Sequence, residues 1–154
     1  MINIAIVDDE PIFIYTLINI IDNCCNSLGV KHLIDKFSNG YSVLENYNKY
    51  HLIFLDIEMP KINGFQFLEL LGQFNFEVIF VTAYDAYVLN ALRNDALDYL
   101  MKPVDPEELE AAINKLEEKV SKKANIQQNN KKENGRLSLA TAEGIYYIKK
   151  SDML

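Results

Sequence analysis

Five polar residues of the chain have the types and order needed for phosphate chemistry: Asp8, Asp9, Asp56, Thr82 and Lys102. Three carboxylates brought together repel one another and hold protons more tightly unless a cation lies among them. Ligand sets made only of oxygen favour Mg²⁺, which commonly pairs one or two carboxylates with phosphate oxygens. An ammonium and a hydroxyl add donors for phosphate. The set therefore predicts a site that transfers a phosphoryl group onto an aspartate.

The elements that must position these residues follow from the hydrophobic pattern. Short apolar runs rich in β-formers alternate with longer runs of helical period. We predict strands at residues 3–7, 32–37, 52–55, 78–81 and 98–101. We predict helices from residue 12 to residue 22 and onward, and at 41–47, 64–71, 86–93 and 106–122. This order predicts an α/β fold, a five-stranded parallel sheet with helices on both faces.

The same pattern predicts where the five polar residues meet. Each follows or ends a predicted strand of the sheet. In an open parallel sheet, ligands bind at the carboxyl ends of the strands. We therefore expect one site at that edge.

The composition changes after Val120. We expect a compact domain at residues 1–122 and a polar linker at 123–135, which has little to bury. Residues 136–154 resemble two strands around Glu143-Gly144, a short β-rich tail. Because an isolated strand pair is marginal in water, the tail is interpreted as the truncated start of a second domain.

Composition and charge restrict the classes of protein. No apolar run approaches the roughly 20 residues of a membrane span, and no signal peptide pattern opens the chain, so we expect a cytoplasmic protein without a membrane partner. The net charge of −7 disfavours nucleic-acid binding by bulk electrostatics. The cysteines, Cys24 and Cys25, are adjacent and suit neither a disulfide framework nor a zinc site.

The motifs around the polar residues resemble those of the response-regulator receiver family. They are Asp8-Asp9 after the first strand, Asp56 in Leu55-Asp56-Ile57-Glu58-Met59-Pro60 with Gly64, Val81-Thr82-Ala83, and Lys102-Pro103. The resemblance covers about residues 1–120. It implies the flavodoxin-like, CheY-like receiver fold.

The resemblance also implies roles for individual residues. Asp56 would take the phosphoryl group from a sensor histidine kinase. Mg²⁺ would be bound by Asp9, Asp56 and the backbone carbonyl of Glu58, with the help of Asp8. Thr82 and Lys102 would bind the phosphoryl oxygens. Tyr99 would be the switch residue, which turns inward as Thr82 moves toward the phosphate, and a homodimer on phosphorylation is a further family expectation.

A narrower resemblance concerns the output of the protein. Residues 81–87 and 94–103, together with the tail from Arg136, are similar to regulators that carry a LytTR-type DNA-binding domain. This resemblance implies a transcription factor that reaches DNA only through an output domain, of which residues 136–154 are the incomplete beginning.

Two other functions compete with this interpretation. A phosphohydrolase of the haloacid-dehalogenase type also uses an aspartyl nucleophile and Mg²⁺, but it has a second aspartate two positions on, where this chain has Glu58. A pseudo-receiver that ignores phosphate is the second alternative, although it has no use for the complete polar set. We expect a phosphoacceptor that assists its own phosphorylation and dephosphorylation, and no multi-turnover enzyme.

Overall fold

The computed structural model describes residues 1–132 and contains a five-stranded sheet. Its strands are β1 (Ile2–Val7), β2 (His32–Phe37), β3 (Leu52–Leu55), β4 (Glu77–Thr82) and β5 (Asp98–Met101). All neighbouring strands are parallel, in the order β2-β1-β3-β4-β5. The predicted parallel sheet is thus confirmed, with small differences at the ends of two strands.

In the described part of the chain, four α-helices connect or follow the strands: α1 (Pro11–Leu28), α2 (Gly64–Leu71), α3 (Val88–Arg93) and α4 (Pro106–Lys132). α1 begins with a proline, whose missing N–H costs nothing in a first turn. α2 begins with a capping box, in which the side chains of Asn63 and Gln66 each bond the other residue's backbone N–H.

The predicted helix at residues 41–47 is wrong. The segment forms two short 3₁₀ turns, Gly40–Val43 and Tyr47–Lys49. The Asn39 side chain accepts a hydrogen bond from the Ser42 backbone N–H, 3.1 Å away, and so closes a local turn that competes with an α-helix. The helix predicted at 86–93 begins with a further 3₁₀ turn, Asp85–Tyr87, before α3.

The last helix is longer than predicted. α4 continues to Lys132 and therefore includes residues 123–132 of the predicted linker. The remainder of that linker and the predicted strand pair at 136–154 lie outside the described residues. The domain boundaries stay predictions.

Hydrophobic side chains cover both faces of the sheet. In β3, Leu52 and Phe54 belong to a core cluster with α1 and α4, whereas Ile53 and Leu55 belong to a second cluster with α2. This alternation is the expected consequence of the two-residue period of a strand. Helices therefore lie on both faces, as predicted. Within residues 1–132, no helix is long and apolar enough to cross a membrane.

Candidate functional site

Main-chain hydrogen bonds bring the strand ends together. Val7 in β1 is in register with Leu55 in β3, and the Asp56 N–H donates to the Val7 carbonyl at 3.0 Å. Asp8 and Asp56 therefore lie side by side. On the other side of the site, the Lys102 N–H donates to the Thr82 carbonyl at 2.8 Å. The backbone alone thus places four of the predicted residues along one edge.

Three carboxylates form a compact acidic cluster. Asp8, Asp9 and Asp56 each offer an oxygen, and these oxygens lie within 4.8 Å of one another. Asp8 and Asp56 are 1% and 4% exposed, whereas Asp9 is exposed to solvent. The cluster therefore has a buried base and an open side.

The Lys102 ammonium is held among acidic groups. Its Nζ lies 2.6 Å from Glu10 Oε1, 2.9 Å from Asp8 Oδ2 and 3.4 Å from Asp56 Oδ2. It also lies 4.2 Å from the centre of the Phe13 ring, within range of a cation–π interaction. The residue expected to approach phosphate is thus already paired with carboxylates before any phosphate arrives.

Burial shifts the proton affinities of the cluster. Removal from water, reinforced by the neighbouring Asp8 charge, raises the pKa of Asp56 to about 7 even though Lys102 opposes the shift. Burial also raises the pKa of Asp8. For Lys102, burial acts to lower the pKa, but the carboxylates of Glu10, Asp8 and Asp56 outweigh it and raise the pKa. A second cation would relieve the carboxylates further.

The chemistry of the donors fits Mg²⁺. Asp8 Oδ2 is buried and makes no hydrogen bond. Its 2.9 Å contact with Lys102 is close enough to be an ion pair but lacks the direction of a hydrogen bond. A buried carboxylate oxygen without a hydrogen bond, beside two other carboxylates, is a suitable position for a hard cation with oxygen ligands.

Thr82 and Tyr99 lie on the neighbouring strands β4 and β5. Thr82 ends β4, is fully buried, and its hydroxyl accepts from the Tyr84 N–H at 3.4 Å. Tyr99 in β5 is half-buried, and its hydroxyl donates to the backbone carbonyl of Tyr84. Both side chains therefore contact the same residue of the loop after β4.

Gly64 fixes the loop that follows Asp56. Its N–H donates to the Ile57 carbonyl at 2.9 Å. A Cβ at this position would lie only 2.7 Å from the backbone oxygen of Asp56. Only glycine permits this close approach without moving the backbone.

The sequence pattern missed two contacts of the site. One is the Glu10–Lys102 ion pair, for which the position of Glu10 directly after Asp8-Asp9 was the available signal. The other is a hydrogen bond from the Tyr87 hydroxyl to the Glu58 carboxylate. No periodicity or motif indicated it.

Comparisons with known proteins agree with this geometry. Residues 4–114 match the model of the response regulator receiver domain. An uncharacterized response regulatory protein of Vibrio parahaemolyticus is 36% identical over 134 residues, covering 83% of this chain and 52% of that protein. The transcriptional regulatory protein BtsR of Escherichia coli is 33% identical over 135 residues, covering 79% of this chain and 51% of BtsR. The chain spans about half the length of the curated relatives it matches.

Solved structures give the same result. The REC domain of AraT, a response regulator from Geobacillus stearothermophilus, is similar with a TM-score of 0.68 and 27% identity, over 80% of this chain and 98% of that one. The response regulatory domain of protein mrkE from Klebsiella pneumoniae has a TM-score of 0.68 and 26% identity, over 78% of this chain and 98% of its own. On its motifs, its sheet and these relatives, the chain belongs to the response regulator receiver domain family of two-component signalling.

Proposed function

We propose that this chain accepts a phosphoryl group on Asp56 from a sensor histidine kinase, in a reaction that depends on Mg²⁺. The observation that carries the proposal is the position of Asp56, which is buried beside Asp8 with the Lys102 ammonium 3.4 Å from its Oδ2. A carboxylate in such surroundings can act as a nucleophile. The Lys102 ammonium is already in place to stabilise the negative charge of the phosphoryl group that is added.

The residues of the site divide the work. An Asp56 oxygen attacks phosphorus, so that an acyl phosphate bond forms and the bond from phosphorus to the kinase's histidine nitrogen breaks. Lys102 and the Thr82 hydroxyl bind the phosphoryl oxygens. Mg²⁺, when bound by Asp8, Asp9, Asp56 and the Glu58 backbone carbonyl, would neutralise negative charge on the phosphoryl group.

Phosphorylation is proposed to act through Thr82 and Tyr99. Movement of Thr82 toward the phosphoryl group would pull the loop that contains Tyr84. Because the Tyr99 hydroxyl is bonded to the Tyr84 carbonyl, that movement would disturb the position of the Tyr99 ring. We propose that this change in the position of Tyr99 allows two phosphorylated chains to form a homodimer.

The proposed output is transcription regulation through a LytTR-type DNA-binding domain that begins at residues 136–154. The relative BtsR is named a transcriptional regulatory protein, and this chain covers about half of it. We place the receiver domain at residues 1–122, the linker at 123–135, and the protein in the cytoplasm. DNA would be bound only by the output domain.

A phosphate-independent pseudo-receiver is the second candidate function. The raised pKa of Asp56 is compatible with it, since a protonated Asp56 would need no metal. The complete set of acidic groups with Lys102 in reach favours the phosphoacceptor.

Intact mass after incubation with acetyl phosphate distinguishes these functions. We expect one Mg²⁺-dependent phosphoryl adduct per chain on the wild type and none on Asp56→Asn. A folded wild-type chain that forms no adduct would favour the pseudo-receiver. Sustained release of phosphate from a generic phosphatase substrate would instead favour a phosphohydrolase.

A further inference from the structure

A side-chain bridge joins the two loops beside the phosphoacceptor. The Tyr87 hydroxyl donates a hydrogen bond to Glu58 Oε2. Glu58 follows Asp56 by two positions after β3, and Tyr87 lies in the turn after β4. Because β3 and β4 are paired neighbours in the sheet, this bond crosses from one strand end to the next.

Packing holds the Tyr87 ring in this position. The ring contacts Phe65 at the start of α2, with centroids 5.9 Å apart, and Tyr84 at 6.3 Å, both in edge-to-face geometry. These ring contacts restrain the orientation of the Tyr87 phenol. The exposed Glu58 carboxylate is therefore hydrogen-bonded to a hydroxyl whose ring is itself packed in place.

The bridge lies along a groove next to the phosphoacceptor loop. The groove has a volume of about 460 Å³, and its walls include Ile57, Met59 and Lys61 together with both members of the bridge. Asp56 itself is only 4% exposed. Asp56 does not line this groove, whereas the residues that follow it, which the Tyr87–Glu58 bond restrains, do.

We propose that Tyr87 is a positioning residue that, through Glu58, limits the access of water to phosphorylated Asp56 and so sets the lifetime of the acyl phosphate. The inference rests on the proposed function, because it concerns the loss of the same phosphoryl group.

The step that Tyr87 restrains is hydrolysis. A water oxygen attacks phosphorus, and the bond from phosphorus to the Asp56 oxygen breaks. The water's proton leaves with inorganic phosphate or solvent, and the Asp56 carboxylate is regenerated. No oxidant or further reactant is needed. Loosening the loop after Asp56 should raise the frequency with which water reaches phosphorus.

The test is the decay of the phosphorylated protein, followed by intact mass after acetyl phosphate is removed. Tyr87→Phe keeps the ring but removes the donor, and we expect a lifetime about three- to tenfold shorter, in the range of the net contribution of one exposed hydrogen bond. In a Glu58→Ala background, the same change should alter the lifetime less than about twofold, since the partner is already absent.

A matched control is Tyr50→Phe. The Tyr50 hydroxyl donates to Asp35 Oδ2 at 2.6 Å, also a phenol–carboxylate bond, but it lies before β3 at the opposite edge of the sheet. We expect this variant to lose stability without a change in the lifetime. Glu58→Gln, which retains an acceptor for Tyr87, should restore most of the lifetime that Glu58→Ala loses.

The possible outcomes distinguish the proposed function from the role of Tyr87. A wild type that forms no adduct overturns the proposed function. A wild type that forms one, with a Tyr87→Phe lifetime equal to or longer than its own, overturns the role of Tyr87 alone. Equal effects of Tyr87→Phe in the wild-type and Glu58→Ala backgrounds would also overturn it, because Tyr87 would then not act through Glu58.

Discussion

The Glu10 carboxylate lies 2.6 Å from the Lys102 ammonium, closer than any other acidic group at the site. Glu10 therefore draws the ammonium toward the solvent side of the cluster and away from Asp56, whose Oδ2 is 3.4 Å from it. This arrangement leaves the buried carboxylates more available to a metal ion.

Neutralising Glu10 should weaken Mg²⁺ binding. In Glu10→Gln, one negative charge is lost near the cluster, and Lys102 is free to pair more fully with Asp8 and Asp56. Both effects oppose the metal, and we expect an apparent Kd about two- to fivefold higher at low salt. Tyrosine fluorescence or calorimetric titration measures it. Glu45→Gln, an exposed residue with the same charge change, is the control and should leave the Kd unaltered.

Asp56→Asn should stabilise the metal-free protein at neutral pH. Burial raises the folded-state pKa of Asp56 to about 7 from an ordinary value of 3.8. Between those values the folded state holds a proton that the unfolded state has released. Stability therefore falls as pH rises from about 4 to 7.

The Asn variant lacks this loss because its side chain does not ionise. We expect it to exceed the wild type by on the order of 1–3 kcal/mol at pH 7.5 and to match it near pH 4. Urea unfolding in EDTA at the two pH values measures the difference. A wild type whose stability rises between pH 4 and 7 relative to the variant would contradict the cause given for the shift.

Lys102→Ala should cost more stability than the loss of a surface ion pair. Without Lys102, the buried carboxylate of Asp8 has no cation beside it, and we expect a loss of about 2–4 kcal/mol in EDTA, partly restored by Mg²⁺. Lys119→Ala breaks a half-exposed pair with Glu77, 2.9 Å apart, and should cost about 0–1 kcal/mol. Similar losses in the two variants would mean that the Lys102 pairing contributes little.

Gly64→Ala should impair phosphate uptake without touching the site's side chains. Its Cβ would lie 2.7 Å from the Asp56 backbone oxygen, so the loop must move. We expect about 1–3 kcal/mol of destabilisation and a slower formation of the phosphoryl adduct. Gly29→Ala is the control: it is strained by a φ of 73° but has nothing within 4 Å of its Cβ. It should lose stability and keep the uptake rate.

The sequence predicts those parts of the site whose positions depend only on where the strands end. Asp8, Asp56 and Lys102 each directly follow a strand, and parallel pairing brings such positions to one edge regardless of side-chain detail. The Glu10–Lys102 pair joins residues 92 positions apart through two long side chains. No periodicity of the chain encodes that contact, and the same holds for Tyr87 and Glu58.

The errors in the fold have local causes. Residues 41–47 have an apolar pattern that suits a helix, but the Asn39 side chain accepts a hydrogen bond from the Ser42 N–H and closes a 3₁₀ turn there instead. The sequence predicts too early an end for α4 because residues 123–132 have little to bury. They nevertheless include alanine, lysine and glutamine, which are good helix formers.

Because of its length, α4 extends beyond the sheet. Lys115 and Lys119 bond to Asp98 and Glu77, the first residues of β5 and β4, so the helix has already crossed the sheet to the edge opposite Asp56 at that point. At 1.5 Å per residue, a straight continuation to Lys132 would project about 20 Å farther. The projecting part would then be a lever arm: a tilt of about 10° in the packed part would move its tip sideways by roughly 3 Å. Any change at the Asp56 cluster that tilts the packed part of α4 would be seen at that tip as a displacement.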